Sequence, residues 1–414
     1  MSKTMPIGGF WGPVRVPDTP YKGASKDLIQ DEIYALIKGA GINYISFIER
    51  DYVTETDEVI SNLELAGKYG IGLFIRDTYL TNETTEEELK ERVKAYNGYS
   101  SFLGITVCDE PGIAEYREKS PHIDTFSKLA TKINQSEDMA GYVNLFPKFG
   151  EIENLDEVYD KYVNTYLDTC SPKFISYDYY PFHDAQTNKT CWEYFAHLSY
   201  YSNKAKERNL PFWPFVEVGG HFWGTVEPWE QIIPTRGQML WNVNMCLAYG
   251  AKGIQYFPLI QPNYWGVVSE EEAEQDFDRC AIIGANGKPT KWYPYVKEAN
   301  QWIRKIQHVL MEAEHRDVIV NSRAFDEIAN ATKAEHLSGE SEEYGALSGV
   351  FAYAEKTVYY IVNYDYDHAQ DITLRLDAVR NITGFVQGGA DIEARQDYCT
   401  VSLEAGCAAL IIVE

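Results

Sequence analysis

Cysteine is scarce and unpatterned: seven in 414 residues, none in a CxxC pair or at a metal-ligand spacing. That argues against zinc ribbons, iron–sulfur centres and a disulfide-stapled scaffold. The count is odd, and Cys108, Cys170, Cys191, Cys246, Cys280, Cys399 and Cys407 are spread through apolar segments. They read as buried free thiols of a reducing compartment, so the expected location is cytoplasmic. Positive charge is short as well: 37 Lys and Arg against 62 Asp and Glu give a formal net charge of −25. A nucleic acid or an anionic membrane would need a basic surface, so neither is expected as a partner. Residues 1–20 hold no basic stretch followed by an apolar one, and no apolar run reaches membrane-spanning length. No GxGxxG opens a helix after the first strand, which counts against a dinucleotide fold. His183 and His221 stand in no HxH or HExxH setting, so neither a metal nor another cofactor is expected.

What is present in quantity is apolar and aromatic. Hydrophobic residues make up 45% and aromatics 14%, with 31 Tyr and 9 Trp, enough for one large domain and a smaller one. From about residue 6 to 310 short apolar strands alternate with amphipathic helices. PIGGFWGPV, INYISFIERD, IGLFIRDT, FLGITVCDEPG, MAGYVNLFPK, KFISYDYYPF, PFWPFVEV and GIQYFPL are the strands. The helix between the first two closes on Gly41, a left-handed cap position. Another, from Thr56 to Tyr69, puts Val59, Leu63 and Ala66 on one face, and a third opens with the capping-box pair Thr85 and Glu88. Eight strand–helix units in a row predict a parallel (β/α)8 TIM barrel over residues 1–310. After residue 311 the rhythm changes to strand-like segments such as LSGVFAYA, VYYIVNYDY and CAALIIVE. They predict a small C-terminal antiparallel β-sandwich over 311–414.

In such barrels the active groups stand at the C-terminal ends of the strands. Those ends carry Trp11, Glu49, Arg50, Asp51, Arg76, Asp77, Asp109, Glu110, Asn144, Asp178, Glu217 and Gln261. Glu110 and Glu217 stand out, because strands four and seven face each other across the mouth. Their carboxyls can flank one bond, one protonating a leaving oxygen and the other attacking or activating water. Tyr180, in the run SYDYYPF with Asp178, and the rings of Trp11, Trp223 and Trp265 are candidate sugar contacts or platforms. Arg50 and Arg76 are candidate partners of the carboxylates. Cys108 is expected as a small filler of the barrel interior.

GITVCDEPG, ISYDYYPF, PFWPFVEVGGHFW and RGQMLWNVNMCLAYGAKGIQYFPL resemble, in that order, segments of the family 42 β-galactosidases and, more broadly, of the clan A glycoside hydrolases. ANGKPTKWYPYVKEANQWI is similar to the stretch leading into that family's last barrel helix. The likeness covers most of residues 100–305. It implies that Glu110 is the acid/base and Glu217 the nucleophile of a retaining reaction. It also implies a carbohydrate substrate, an exo-acting β-galactosidase-like activity and no cofactor. Two features depart from the family: Asp109 replaces the usual Asn that contacts the sugar 2-hydroxyl, and the middle domain and metal-binding cysteine cluster have no counterpart. Two other readings stay open. One is substrate-assisted hydrolysis of an N-acetyl sugar by Glu110 and Asp178, and the other a non-catalytic carbohydrate-binding barrel.

Overall fold

The computed structural model describes residues 4–14, 27–46, 56–150, 152–182, 192–219, 234–261, 281–284, 286–323, 331–341, 343–377, 381–395 and 397–414. Eight parallel strands close into a barrel: β1 (Ile7–Phe10), β2 (Tyr44–Ser46), β3 (Gly72–Ile75), β4 (Phe102–Asp109), β5 (Ala140–Leu145), β6 (Ile175–Tyr177), β7 (Phe212–Glu217) and β8 (Ile254–Phe257). Pairing of β1 with both β2 and β8 completes the ring. The helices α1 (Asp31–Gly39), α2 (Thr56–Tyr69), α3 (Glu86–Asn97), α4 (Ser127–Asn134), α5 (Leu155–Cys170), α6 (Trp192–Arg208), α7 (Arg236–Ala248) and α8 (Tyr293–Leu310) alternate with them. Thr85 and Glu88 form the expected capping box at the start of α3. Gly41 stands at φ 89°, where a side chain would be strained.

Strand alternation separates two apolar layers. Outward residues such as Ile45, Leu73, Val143 and Val216 meet the helices, while Phe10, Tyr44, Phe74, Tyr142, Phe174, Phe215 and Phe257 fill the lumen. Phe174 stacks on Trp213 with ring centroids 3.8 Å apart. Each buried ring is worth roughly 1.5–3 kcal/mol in removed apolar surface. One expectation is corrected here. A register shift between Thr106 and Cys108 interrupts the β4–β5 pairing, and Cys108 packs in the outer, helix-facing core rather than in the lumen. The bulge leaves Asp109, the next residue, in register with Asn144 at the strand end.

Beyond α8 the chain forms two sheets. One is six-stranded, ordered β10 (Thr332–Lys333), β9 (Glu314–Asn321), β12 (Ala346–Tyr353), β13 (Lys356–Asn363), β18 (Ala408–Val413) and β15 (Ile382–Val386). The other is four-stranded: β11 (Leu337–Gly339), β14 (Gln370–Arg375), β17 (Tyr398–Leu403) and β16 (Ile392–Ala394). Their pairs are antiparallel except β9–β10.

Helix α7 lies between the barrel and the larger sheet, so every residue from Gly237 to Ala248 is buried. Its polar Asn244 is satisfied across that junction. Asn244 Nδ2 donates to Gln387 Oε1 (2.9 Å) and to the Gly406 carbonyl (2.8 Å), and Tyr360 OH donates to Asn244 Oδ1 (2.7 Å). Asn244→Leu is expected to cost about 1–3 kcal/mol for each buried group it leaves unpaired. Urea denaturation should show this as a lower midpoint, and an unchanged midpoint would contradict the bridging role.

Candidate active site

The C-terminal mouth of the barrel gathers four carboxyl side chains from three strands. Asp109 ends β4 and Glu110 follows it, Asp178 follows β6, and Glu217 ends β7. Their order in space comes from strand pairing: Asp109 pairs with Asn144, Asn144 with Ser176, and Glu217 with Phe257. Asn144, 3% exposed, ties the first three together. Its Nδ2 donates to Asp109 Oδ1 (3.2 Å) and to Asp178 Oδ1 (3.1 Å), and its carbonyl accepts from the Glu110 N–H (2.8 Å).

The amide cannot turn the other way, because a chain of donors fixes it from below. Tyr142 OH donates to Gln255 Oε1 (2.6 Å), and Gln255 Nε2 donates to Ser176 Oγ (2.8 Å). Ser176 Oγ in turn donates to Asn144 Oδ1 (2.9 Å). A polar column therefore runs up the lumen and ends on the carboxyl groups of Asp109 and Asp178. Burial first, then Glu110 and Asp109, push the Asp178 carboxyl well above the usual carboxylate range. Asp178 therefore keeps its proton to higher pH than an ordinary aspartate does.

Glu217 is 1% exposed, and the Phe182 N–H donates to its Oε2 (3.3 Å). Burial raises its pKa from 4.5 to about 8. Below about pH 4 folded and unfolded chains both carry a neutral Glu217, and the group costs nothing. As pH rises toward 8 the unfolded chain ionises while the folded one keeps its proton, so stability is lost across that window. Glu217→Gln should therefore gain on the parent with rising pH, from near zero at acid pH to on the order of 4 kcal/mol near pH 8. Denaturant melts of both proteins across that range check this, and parallel curves would contradict it.

Tyr180 is buried just past the end of β6. Its phenol is pushed up by burial and then by Asp178, Glu110, Asp109 and Glu217, so one hydroxyl is within electrostatic reach of all four. Its ring stacks on Phe257 with centroids 5.7 Å apart, and Trp11 packs against the same Phe257 at 4.9 Å. Trp11 is partly exposed at the end of β1 and Arg76 half-buried at the end of β3, where its charge reaches Cys108. Gln261 is buried past β8, its backbone N–H bonded to the Ile283 carbonyl (2.9 Å). Glu49, Arg50, Asp51, Trp223 and Trp265 lie outside the described residues. Asp77 is a strand-end carboxylate that does not join the mouth cluster. Arg92 clasps it through Nε (2.5 Å) and Nη2 (3.2 Å), and Tyr96 OH donates to it (2.9 Å), so it anchors α3.

Sequence reasoning missed Arg117. Its Nη1 donates to Glu110 Oε2 at 2.8 Å, and its guanidinium lies 3.8 Å over the Phe146 ring. It sits in an irregular loop with no periodicity to mark it. Among the described residues no group of three or more His, Cys, Asp or Glu could hold a metal ion. None of their helices is long and apolar enough to cross a membrane. A cavity of about 830 Å³ opens at the opposite, N-terminal end of the barrel, walled by Tyr44, Leu103, Phe174 and Trp213 among others, and none of the four carboxylates lines it. Chemistry in these barrels belongs to the other end.

No protein-family model matches the chain, and no curated protein sequence does. Solved structures do match in shape. A family 5 glycoside hydrolase from Bacteroides vulgatus superposes with a TM-score of 0.58 at 12% identity, over 99% of this chain and 90% of that one. A family 42 β-galactosidase from G. stearothermophilus, solved as a catalytic mutant, gives 0.57 at 8% identity, over 100% and 98%. At these identities the likeness is one of fold: the chain is a (β/α)8 barrel followed by antiparallel sheets, an architecture it shares with glycoside hydrolases of more than one family.

Proposed function

We propose that the chain is a retaining β-glycosidase, β-galactosidase-like and exo-acting, with Glu217 as nucleophile and Glu110 as acid/base. The observation that supports this reading is the placement of Asp109, Glu110, Asp178 and Glu217 at the C-terminal strand ends of the barrel, with Asn144 hydrogen-bonded to both Asp109 and Asp178. In the first half of the reaction the ionised form of Glu217 attacks the anomeric carbon while the acid form of Glu110 protonates the departing oxygen. In the second half Glu110 takes a proton from water, and that water displaces Glu217. Trp11, Arg76, Asp109, Asn144, Asp178, Tyr180 and Gln261 are assigned to substrate binding, as are Glu49, Arg50, Trp223 and Trp265, which lie outside the described residues. The names of both structural neighbours support a carbohydrate substrate. The setting we assign is the reducing cytoplasm, since all five described cysteines are free and buried.

A second reading rests on Asp178, a buried carboxyl whose pKa is pushed up by burial and then by Glu110 and Asp109. In it Asp178 orients the acetamido group of an N-acetyl sugar while Glu110 protonates the leaving group. A panel of 4-nitrophenyl glycosides separates the two. Release of nitrophenol from a β-galactoside or related simple β-glycoside supports the first reading, and release confined to an N-acetyl-hexosaminide supports the second. Saturable sugar binding without turnover would leave a non-catalytic barrel.

A further inference from the structure

Glu110 has to be a carboxylic acid in one half of the proposed reaction and a carboxylate in the other, and the loop after β4 holds a cation against it. Glu110 itself stands at φ 44° and Arg117 at φ 56°, both left-handed positions that residues with side chains rarely occupy. The segment between them doubles back. The Gly112 N–H bonds to the Pro121 carbonyl (3.0 Å), and Ile113 and Tyr116 exchange backbone hydrogen bonds (2.8 and 3.1 Å). A Cβ on Gly112 would come within 2.3 Å of the Arg117 carbonyl oxygen, so only glycine permits this fold-back. Tyr116 OH donates to the Pro147 carbonyl and accepts from the Phe149 N–H (3.0 Å), which moors the loop to the end of β5.

The guanidinium is held on three sides. Arg117 Nε donates to Ser120 Oγ (2.9 Å), its plane lies on Phe146, and Nη1 meets Glu110 Oε2. Both charged side chains are 25% exposed, so the pair is partly shielded from water. A backbone bent twice into strained positions to bring one arginine onto one glutamate is a costly arrangement for a surface ion pair of little worth.

We propose that Arg117 is a positioning residue that holds Glu110 as an oriented carboxylate, and so serves the second, water-dependent half of the reaction. The proposal rests on the two-glutamate reading above. When Glu110 has given its proton to the leaving oxygen, the new carboxylate meets Arg117 and is fixed there. It then accepts a proton from the attacking water as the water oxygen bonds to the anomeric carbon and the bond to Glu217 breaks.

Arg117→Gln removes the charge and keeps a donor. With an activated aryl glycoside as probe, breakdown of the glycosyl-enzyme should slow by about tenfold to a hundredfold, the value of one charge-assisted hydrogen bond. The readout is a lower kcat with KM falling in step, an unchanged kcat/KM, and a burst of nitrophenol before the steady state. Arg117→Lys should recover part of the lost kcat. A fall of kcat and kcat/KM together, with a lower melting temperature, would mean that Arg117 only braces the loop and would overturn the proposal. Unchanged kinetics would overturn it too. A crystal structure of Arg117→Gln supplies an arm that does not depend on turnover. There the Glu110 carboxylate should leave its present position, and a side chain that stays in place contradicts the positioning role. If the parent protein hydrolyses no glycoside, the two-glutamate reading fails, and that crystal structure still decides whether Arg117 places Glu110.

Discussion

Glu217→Ala is expected to lower kcat by roughly 10⁴- to 10⁶-fold on every substrate, the scale of losing a covalent nucleophile. Glu217 is 1% exposed at the end of β7, and a carboxyl in that position without a task would be a standing cost to the fold. Removing it leaves a small space beneath the anomeric carbon. Azide is small enough to enter and attack in its place, so activity on good leaving groups should partly return as the glycosyl azide of inverted configuration. Activity that survives the substitution would move the nucleophile elsewhere, and the substrate's own acetamido group would be the first place to look.

Glu110→Ala is expected to lose about 10²- to 10⁴-fold on substrates whose leaving oxygen needs a proton, the usual contribution of general acid–base catalysis. Dinitrophenyl glycosides need little protonation, so their first half-reaction should be almost spared while alkyl or sugar leaving groups suffer in full. The dependence of kcat/KM on leaving-group acidity should therefore steepen. The loss for the second half-reaction should be the same for all leaving groups, because the same glycosyl-enzyme is then being hydrolysed. A uniform loss in kcat/KM across leaving groups would take the acid role away from Glu110 and leave Asp178 as the candidate, since burial and then Glu110 and Asp109 push its pKa up.

The barrel was readable because a parallel strand covered on both faces must be an apolar run, and each run here ends in a polar or turn-forming residue. That pattern located Glu110 and Glu217, along with Asp109, Asn144 and Asp178. It could not tell which strand-end groups turn inward. Asp77 follows β3 as Asp178 follows β6, yet Arg92 and Tyr96 on α3 claim it. Nor could alternation foresee the β4 bulge that places Cys108 in the outer core. Arg117 was illegible for a different reason. It reaches Glu110 through a loop whose shape depends on two left-handed residues and one close glycine contact, and no period encodes such a path. The helix RGQMLWNVNMCLA was plain as a helix, but its burial on all sides depends on the sheet laid over it.

The central claim is that Glu217 forms a covalent bond to the sugar. The direct test is to incubate the protein with 2,4-dinitrophenyl 2-deoxy-2-fluoro-β-galactoside, which forms the glycosyl-enzyme readily but hydrolyses it slowly, and to follow intact mass and then the peptide map. The account predicts one added fluorosugar per chain, time-dependent loss of activity, and the label on the peptide that carries Glu217. A label on another residue, or none while the parent glycoside is still hydrolysed, would contradict it.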